Sequence, residues 1–231
     1  ICPMSKLPHK RRFYRHEALM RYAKTLGFGD IHIKHNKEAN LHAIVAIHNI
    51  DRGPAIGGCR FYNYKSSGQA IVDALRLAYM MTLKAAISDL PHGGAKSVII
   101  APKHTHDRDA LFHAFGDFVH ELEGRYITAC DVGTSTDDMD SIATRTPYVI
   151  GAAKTHAHES NPSPHTARGI FLGMRSAIRF KLQRETFDGI RVAIQGAGSV
   201  SHSLTRMLVN DGAIVTVCDP NQSSIDQFKD E

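Results

Sequence analysis

Arg191-Val-Ala-Ile-Gln-Gly-Ala-Gly-Ser-Val-Ser201 opens the stretch that decides the fold class. A short apolar strand, RVAIQ, runs into the turn Gly196-Ala197-Gly198, and Ser199 to Asn210 follows with helical spacing. Ala213 to Cys218 (AIVTVC) then reads as a second strand ending at Asp219. Strand, tight turn, helix and strand in that order make a βαβ unit, because parallel strands need a helical crossover. An isolated G-x-G is a weak signal, but this one follows a strand, opens a helix, and has an acid 23 residues after Gly196 at the next strand's end. Gly196 permits the turn, Gly198 lets backbone N–H groups reach a pyrophosphate, and the helix begun by Ser199 and Val200 adds a favourable dipole. Ser201 holds the third position, where a small residue suits helix-to-strand packing. The residues alone also allow a purely structural turn. If a dinucleotide binds, Asp219 can accept from both ribose hydroxyls, and PNQSS after it has no Arg or Lys for a 2′-phosphate, which favours NAD over NADP.

Upstream, the same alternation of strand and helix continues. Residues 41–50 (LHAIVAIHNI) are rich in β-branched residues and read as a strand, and DRGPAIGG after them reads as a Gly/Pro loop. Ser66 and Ser67 can cap a helix from Gln69 to Ser88, with Ile71, Leu75, Ala78, Met81 and Ala85 near helical spacing. Pro91-His92-Gly93-Gly94 ends it, and Lys96 stands at the mouth of the apolar strand SVIIA. A helix from Asp109 to Glu123 and the strand YITA lead to Asp131-Val132-Gly133, a loop at a strand's C-terminal end. This is α/β organisation. Between 151 and 166 the chain turns small, polar and Pro-containing, which suits a hinge, and a helix from His165 to Leu182 follows. The expected domains are 1–150 and 151–231.

Lys84 and Lys96 lie twelve residues apart, one near a helix end and one after a glycine turn. Most lysines are solvated surface charges. If these two converge in a poorly solvated cleft, desolvation and mutual repulsion lower at least one pKa and yield a base usable near neutrality. Asp131 can then shuttle protons, or it can cap the helix that starts near Ser135.

The 231 residues are 42% hydrophobic and 22% charged, globular values that exclude disordered and coiled-coil classes. No apolar run approaches the roughly 18 residues of a membrane span. Cys2, Cys59, Cys130 and Cys218 form no C-x-x-C pair, and the histidines show no H-x-x-x-H spacing, so no metal is expected and reduced thiols point to a cytoplasmic location. The net charge of +5 sits entirely in residues 1–16, where Lys6, Lys10, Arg11, Arg12 and Arg15 have no acid beside them. That arm reads as a solvated or oligomer-contacting terminus or as a contact for an anionic partner. No nucleic-acid-binding motif accompanies it.

GPAIGGCRFY, AIVDALRLAYMMTLKAAISDLPHGGAKSVIIAP, GRYITACDVGTSTDDMD, NPSPHTARGIFLGM and VAIQGAGSV together resemble the leucine, phenylalanine and valine dehydrogenases of the glutamate dehydrogenase superfamily, collinearly from Phe28 onward. The resemblance implies an N-terminal α/β catalytic and oligomerisation domain, then a Rossmann-type domain whose remaining strands lie beyond residue 231. It implies NAD-dependent, reversible oxidative deamination of an apolar, branched-chain L-amino acid by a homo-oligomer. On this likeness Lys84 binds the substrate carboxylate and Lys96 activates water. Asp131 carries protons, Gly57 and Gly58 line the pocket, and Thr166 lies near the nicotinamide amide. Ile56, where glutamate-specific relatives have a lysine, and Met81 face the substrate side chain. Ala95 replaces the family's usual third glycine and Cys130 its usual acid, so a catalytically silent dinucleotide-binding or subunit-interaction relative is the alternative.

Overall fold

The almost unbroken apolar run of LHAIVAI and SVII requires strands covered on both faces, and the chain supplies both covers. The computed structural model describes residues 13–103, 107–153 and 162–228, with side chains from Leu19 onward. The basic residues Lys6, Lys10, Arg11 and Arg12, the side chain of Arg15, and residues 154–161 of the expected hinge lie outside the described residues. Two compact units divide between Ser160 and Asn161.

In the first unit the elements are α1 (Phe13–Thr25), β1 (Asp30–Asn36), β2 (Leu41–Asn49), β3 (Ala55–Tyr62), α2 (Ser67–Ile87), β4 (Gly93–Ile100), α3 (Arg108–His120), β5 (Tyr126–Cys130) and α4 (Thr136–Ala143). The strands form one sheet in the order β1-β2-β4-β3-β5. β2 runs antiparallel to both β1 and β4, whereas β3 is parallel to both β4 and β5. Ser66 caps α2 by accepting from Gln69 N–H. Ala70, Ala74, Leu75 and Ala78 of α2 pack on Ile44, Ala46 and Val98. On the opposite face Phe112 and Phe115 of α3 and Met139 and Ile142 of α4 pack on Val45, Ala95, Ile99 and Tyr126. Each fully buried aromatic there contributes on the order of 1.5–3 kcal/mol by removing apolar surface from water.

Two expectations need correction. DRGPAIGG is not a loop throughout: Ala55 to Tyr62 is β3, the strand between β4 and β5. Its glycines are there because neighbouring backbone comes too close for a side chain. A Cβ on Gly57 would lie 1.7 Å from the Ala95 carbonyl oxygen, and one on Gly58 would lie 2.7 Å from the Cys130 carbonyl oxygen. Likewise Gly93 and Gly94 belong to β4, where α2 presses against the sheet: a Cβ on Gly94 would lie 2.1 Å from Thr82 N. Lys96 is therefore inside the strand, not at its mouth.

The second unit holds α5 (Ser163–Leu182), β6 (Arg191–Gln195), α6 (Ser199–Asn210), β7 (Ile214–Cys218) and α7 (Gln222–Asp226). β6 and β7 pair in parallel. Val192, Ile194 and Val215 pack with Phe171, Phe187, Leu204 and Leu208, while Arg191, Ala193, Ile214 and Thr216 on the other face are exposed.

Candidate active site

Side chains alternate across a strand, so the two faces of β3 and β4 can be assigned from their partners. Val98 packs beneath α2, which places Lys96 and Gly94 on that face, and Ala95 and Ile99 point to α3. Ala55 and Cys59 join the α3 side, leaving Ile56, Gly58 and Arg60 on the α2 side with Lys96. α2 covers β2 and β4, and Ile56, Gly58, Ile127 and Ala129 beyond it are only half-buried. The result is an apolar floor bordered by charge.

Lys96 is 4% exposed. Its Nζ lies 2.7 Å from Asp131 Oδ1, and Arg60 Nε donates to Asp131 Oδ2 at 2.8 Å. Arg60 also donates from its Nη1 to Asp73 Oδ2 at 2.8 Å, an oxygen that accepts from the Tyr64 hydroxyl at 2.6 Å. Burial lowers the pKa of Lys96, opposed by Asp131 and assisted by the repulsion of Arg60. Burial alone would raise the Asp131 carboxyl, but Lys96 and Arg60 together hold it below the ordinary range. Net, the four charges cancel.

The two lysines thus divide. Lys84 is exposed, and the cation that opposes the charge on Lys96 is Arg60. The expected convergence of two desolvated ammoniums is replaced by one buried lysine and one open to solvent. Lys84 still belongs to the same side of the molecule. Asp73, Leu77, Met81 and Lys84 recur at i, i+4, i+8 and i+11, one flank of α2, and Asp73 carries that flank toward Arg60 of β3.

The Asp131 loop is fastened tightly. Asp131 N–H donates to Thr134 Oγ1 at 2.8 Å, and that hydroxyl lies 3.0 Å from the Cys59 carbonyl. Gly133 has φ +81, and a Cβ there would lie 1.9 Å from the Phe61 carbonyl oxygen. Arg108 donates to the Gly133 carbonyl at 2.7 Å and pairs with Asp138. Ser135 and Asp138 form a capping box for α4, so Asp131 is not that helix's cap. Both unusual residues point away from Lys96: Ala95 is in the α3 core, and Cys130 packs against the same core with its thiol pushed up by burial to about 11. Cys130 therefore places a neutral group beside Asp131. Among the described residues no group of three or more His, Cys, Asp or Glu could hold a metal ion.

Arg60, Asp73 and Tyr64 escaped sequence reading. Reading DRGPAIGG as a loop hides the period of two that puts Ile56, Gly58 and Arg60 on one face of β3.

In the second unit Gly196 has φ +103, a conformation that side chains rarely adopt. Gly198 is extended at φ −94, ψ −178, and a Cβ there would meet nothing within 4 Å. The chain itself does not need this second glycine; a ligand lying on the turn would. No side chain caps α6, which leaves the N–H groups of its first turn, from Ser199 and Val200, available to an anion. Asp219 accepts from Ala197 N–H at 2.9 Å and from Asn221 N–H at 2.8 Å, and these bonds hold its carboxyl below the ordinary range. Its oxygens retain lone pairs for hydroxyl donors. A dinucleotide's pyrophosphate and ribose fit this turn. Thr166, near the start of α5, is exposed, and its hydroxyl donates to the Pro162 carbonyl at 3.0 Å.

Leucine dehydrogenase of Geobacillus stearothermophilus is 41% identical over 213 residues, covering 92% of this chain and 58% of the relative. The crystal structure of L-tryptophan dehydrogenase from Nostoc punctiforme superposes with a TM-score of 0.65 at 36% identity, over 91% of this chain and 59% of that one. A hetero-hexameric glutamate dehydrogenase from Thermus thermophilus in its Leu-bound form, 22% identical, shares the fold at a TM-score of 0.66 over 92% of this chain and 58% of that one. The chain thus spans somewhat under three-fifths of these relatives' length. Residues 28–148, which hold the whole Lys96–Asp131–Arg60 network, match the model of the Glu/Leu/Phe/Val dehydrogenase dimerisation domain, and the chain belongs to the Glu/Leu/Phe/Val dehydrogenase family.

Proposed function

We propose that this chain carries the substrate-binding and proton-transfer half of an NAD-dependent amino-acid dehydrogenase acting on apolar, branched-chain L-amino acids. The observation that carries the reading is the ion pair of buried Lys96 with half-buried Asp131 beside the half-buried floor of Ile56 and Gly58. The reaction converts an L-amino acid, NAD⁺ and water to a 2-oxo acid, ammonium, NADH and a proton. A nicotinamide dinucleotide, when bound, would supply the hydride acceptor; Gly196, Gly198, Ser199, Val200 and Asp219 would hold it, and Thr166 would serve its amide.

The remaining work belongs to side chains. Lys84, exposed on the flank of α2, takes the substrate carboxylate. Lys96, whose pKa burial lowers, accepts a proton as water adds to the iminium carbon, giving a carbinolamine. Lys96 then returns that proton to the carbinolamine nitrogen, and Asp131, ionised in its resting pair, takes the proton of the carbinolamine hydroxyl as the C–N bond breaks and ammonia leaves. Ile56 and Met81 contact the substrate side chain, and Gly57 and Gly58 keep the strand backbone bare beside it. Association with further copies fits the dimerisation domain that the family model names and the exposed Ile33 on edge strand β1.

Substrate choice tests the reading. A glutamate side chain against Ile56 leaves a partly desolvated carboxylate unpaired, whereas a leucine side chain gains roughly 1.5–3 kcal/mol by burial. NADH formation is expected with kcat/KM for leucine at least about 10³ above glutamate, because each 1.4 kcal/mol is tenfold. Ile56→Lys should narrow that gap by weakening leucine use. Equal use of the two amino acids would remove Ile56 from the side-chain pocket.

A further inference from the structure

We propose that Arg60 is the positioning residue of this site: stretched between Asp131 and Asp73, its guanidinium fixes which oxygen of Asp131 faces Lys96 and neutralises the other. The inference rests on reading Asp131 as the proton carrier. A carboxylate beside a single ammonium can rotate and present either oxygen. Here Oδ2 is held by Arg60 Nε at 2.8 Å, so Oδ1 is the one left at 2.7 Å from Lys96.

Arg60 can do this because it is itself held from the other side. Its Nη1 donates to Asp73 Oδ2, and Asp73 is locked on α2 by the Tyr64 hydroxyl at 2.6 Å and by Arg76 at 3.3 Å. The two carboxylates engage different nitrogens of one planar group, a span that a single ammonium cannot reproduce. The side chains of Arg60, Asp73 and Asp131 are 21%, 16% and 21% exposed, so solvent only partly screens them. Asp73 shares its flank with Met81 and Lys84, and the helix that would meet the substrate therefore also aims the proton carrier.

Electrostatics give the inference a signature. Lys96 from β4, Arg60 and Cys59 from β3, and Cys130 and Tyr126 from β5 surround Asp131. The thiols and the phenol are neutral, because burial raises all three. Lys96 and Arg60 are thus the charges that keep Asp131 ionised. Removing Arg60 removes one attractive cation from Asp131 and one repulsive cation from Lys96, so both groups should titrate at higher pH. Asp131 would then lose its ionised form earlier as pH falls, and the acid limb of activity would move upward.

The test is a carbon-13 NMR titration of the Asp131 carboxyl in the purified chain. The wild-type midpoint is expected below about 3.9, the ordinary aspartate value. Arg60→Gln should raise it by roughly one to three pH units, the range expected for loss of an adjacent opposite charge. Arg60→Lys, which keeps a cation, should hold it within about one unit of wild type while still lowering turnover, since the fork is gone. An unmoved midpoint in Arg60→Gln overturns the inference. Should that variant fail to fold, a wild-type midpoint at or above the ordinary value does so without any substitution. In enzyme that turns over leucine, the acid limb of kcat/KM should rise with the titration. Turnover whose acid limb stays fixed in Arg60→Gln also overturns the role. Absent turnover with the NMR shift intact supports Arg60's role and counts against the proposed reaction.

Discussion

Charge is handled in opposite ways on the α2 face of the five-stranded sheet and at the head of α6. Around Lys96, four charged side chains drawn from β3, β4, α2 and the loop after β5 already satisfy one another, at separations of 2.7–2.8 Å. At Gly196-Ala197-Gly198 the polar groups are backbone N–H groups at an uncapped helix start, and one carboxylate, Asp219, braces the turn. The first arrangement brings together residues up to 71 positions apart, and the second uses 24 consecutive ones. A site made from distant side chains must be assembled and desolvated by the fold before it has any chemistry. A backbone site has its donors wherever a strand, a glycine turn and a helix follow in order. The first should therefore be sensitive to small changes in its scaffold, and the second indifferent until a ligand arrives.

Substitutions can break or sharpen this contrast. The largest effect is expected at Lys96, where Lys96→Ala should lower kcat by about 10²–10⁴, the scale of a lost general base. Lys84→Ala, on the exposed flank, should mainly raise the amino-acid KM, since it removes a charge-assisted contact worth roughly 1.5–3 kcal/mol. Steady-state kinetics with leucine and NAD separate the two; comparable kcat losses would merge the roles assigned to the lysines.

Next comes a pair of glycines. Gly57→Ala drives a methyl to 1.7 Å from the Ala95 carbonyl oxygen. Because that oxygen belongs to a central strand, the loss in unfolding free energy should reach about 3 kcal/mol. Gly198→Ala meets open space and should stay within about 0.5 kcal/mol, yet weaken dinucleotide binding by crowding the pyrophosphate. Denaturant unfolding and a cofactor titration on both variants check this. Similar stability losses would mean that the α6 turn is as tightly packed as β3.

The smallest effect belongs to Asp219. Asp219→Ser should weaken NAD by about tenfold, the loss of one good hydrogen-bonded contact, and improve relative use of NADP by removing the charge that repels a 2′-phosphate. Initial rates with the two cofactors measure it. A wild-type preference for NADP would overturn the reading of Asp219.

Local chemistry explains what could be seen in advance. The helix capped by Ser66, the apolar strand after Gly94, and the glycine turn before Ser199 each depend on residues within a few positions of one another, so period and punctuation reveal them. The residues of the family motifs were equally visible. β3 was not, because Gly57 and Gly58 have no side chains to show a period of two, and the Gly-Pro that precedes them is the usual mark of a loop. The need for those glycines comes from the Ala95 and Cys130 carbonyls, which belong to other strands.

The sequence by itself determined the α/β class, the βαβ turn with its acid at the strand end, the family, and the candidate roles of Lys84, Lys96 and Asp131. Only the tertiary structure decided that Lys96 is buried and Lys84 is not, that the neighbouring cation is Arg60, and that Asp73 and Tyr64 hold that arginine. Burial and pairing are properties of what the sheet and α2 bring together, and a lysine's position in the chain carries no record of the carboxylate that will face it.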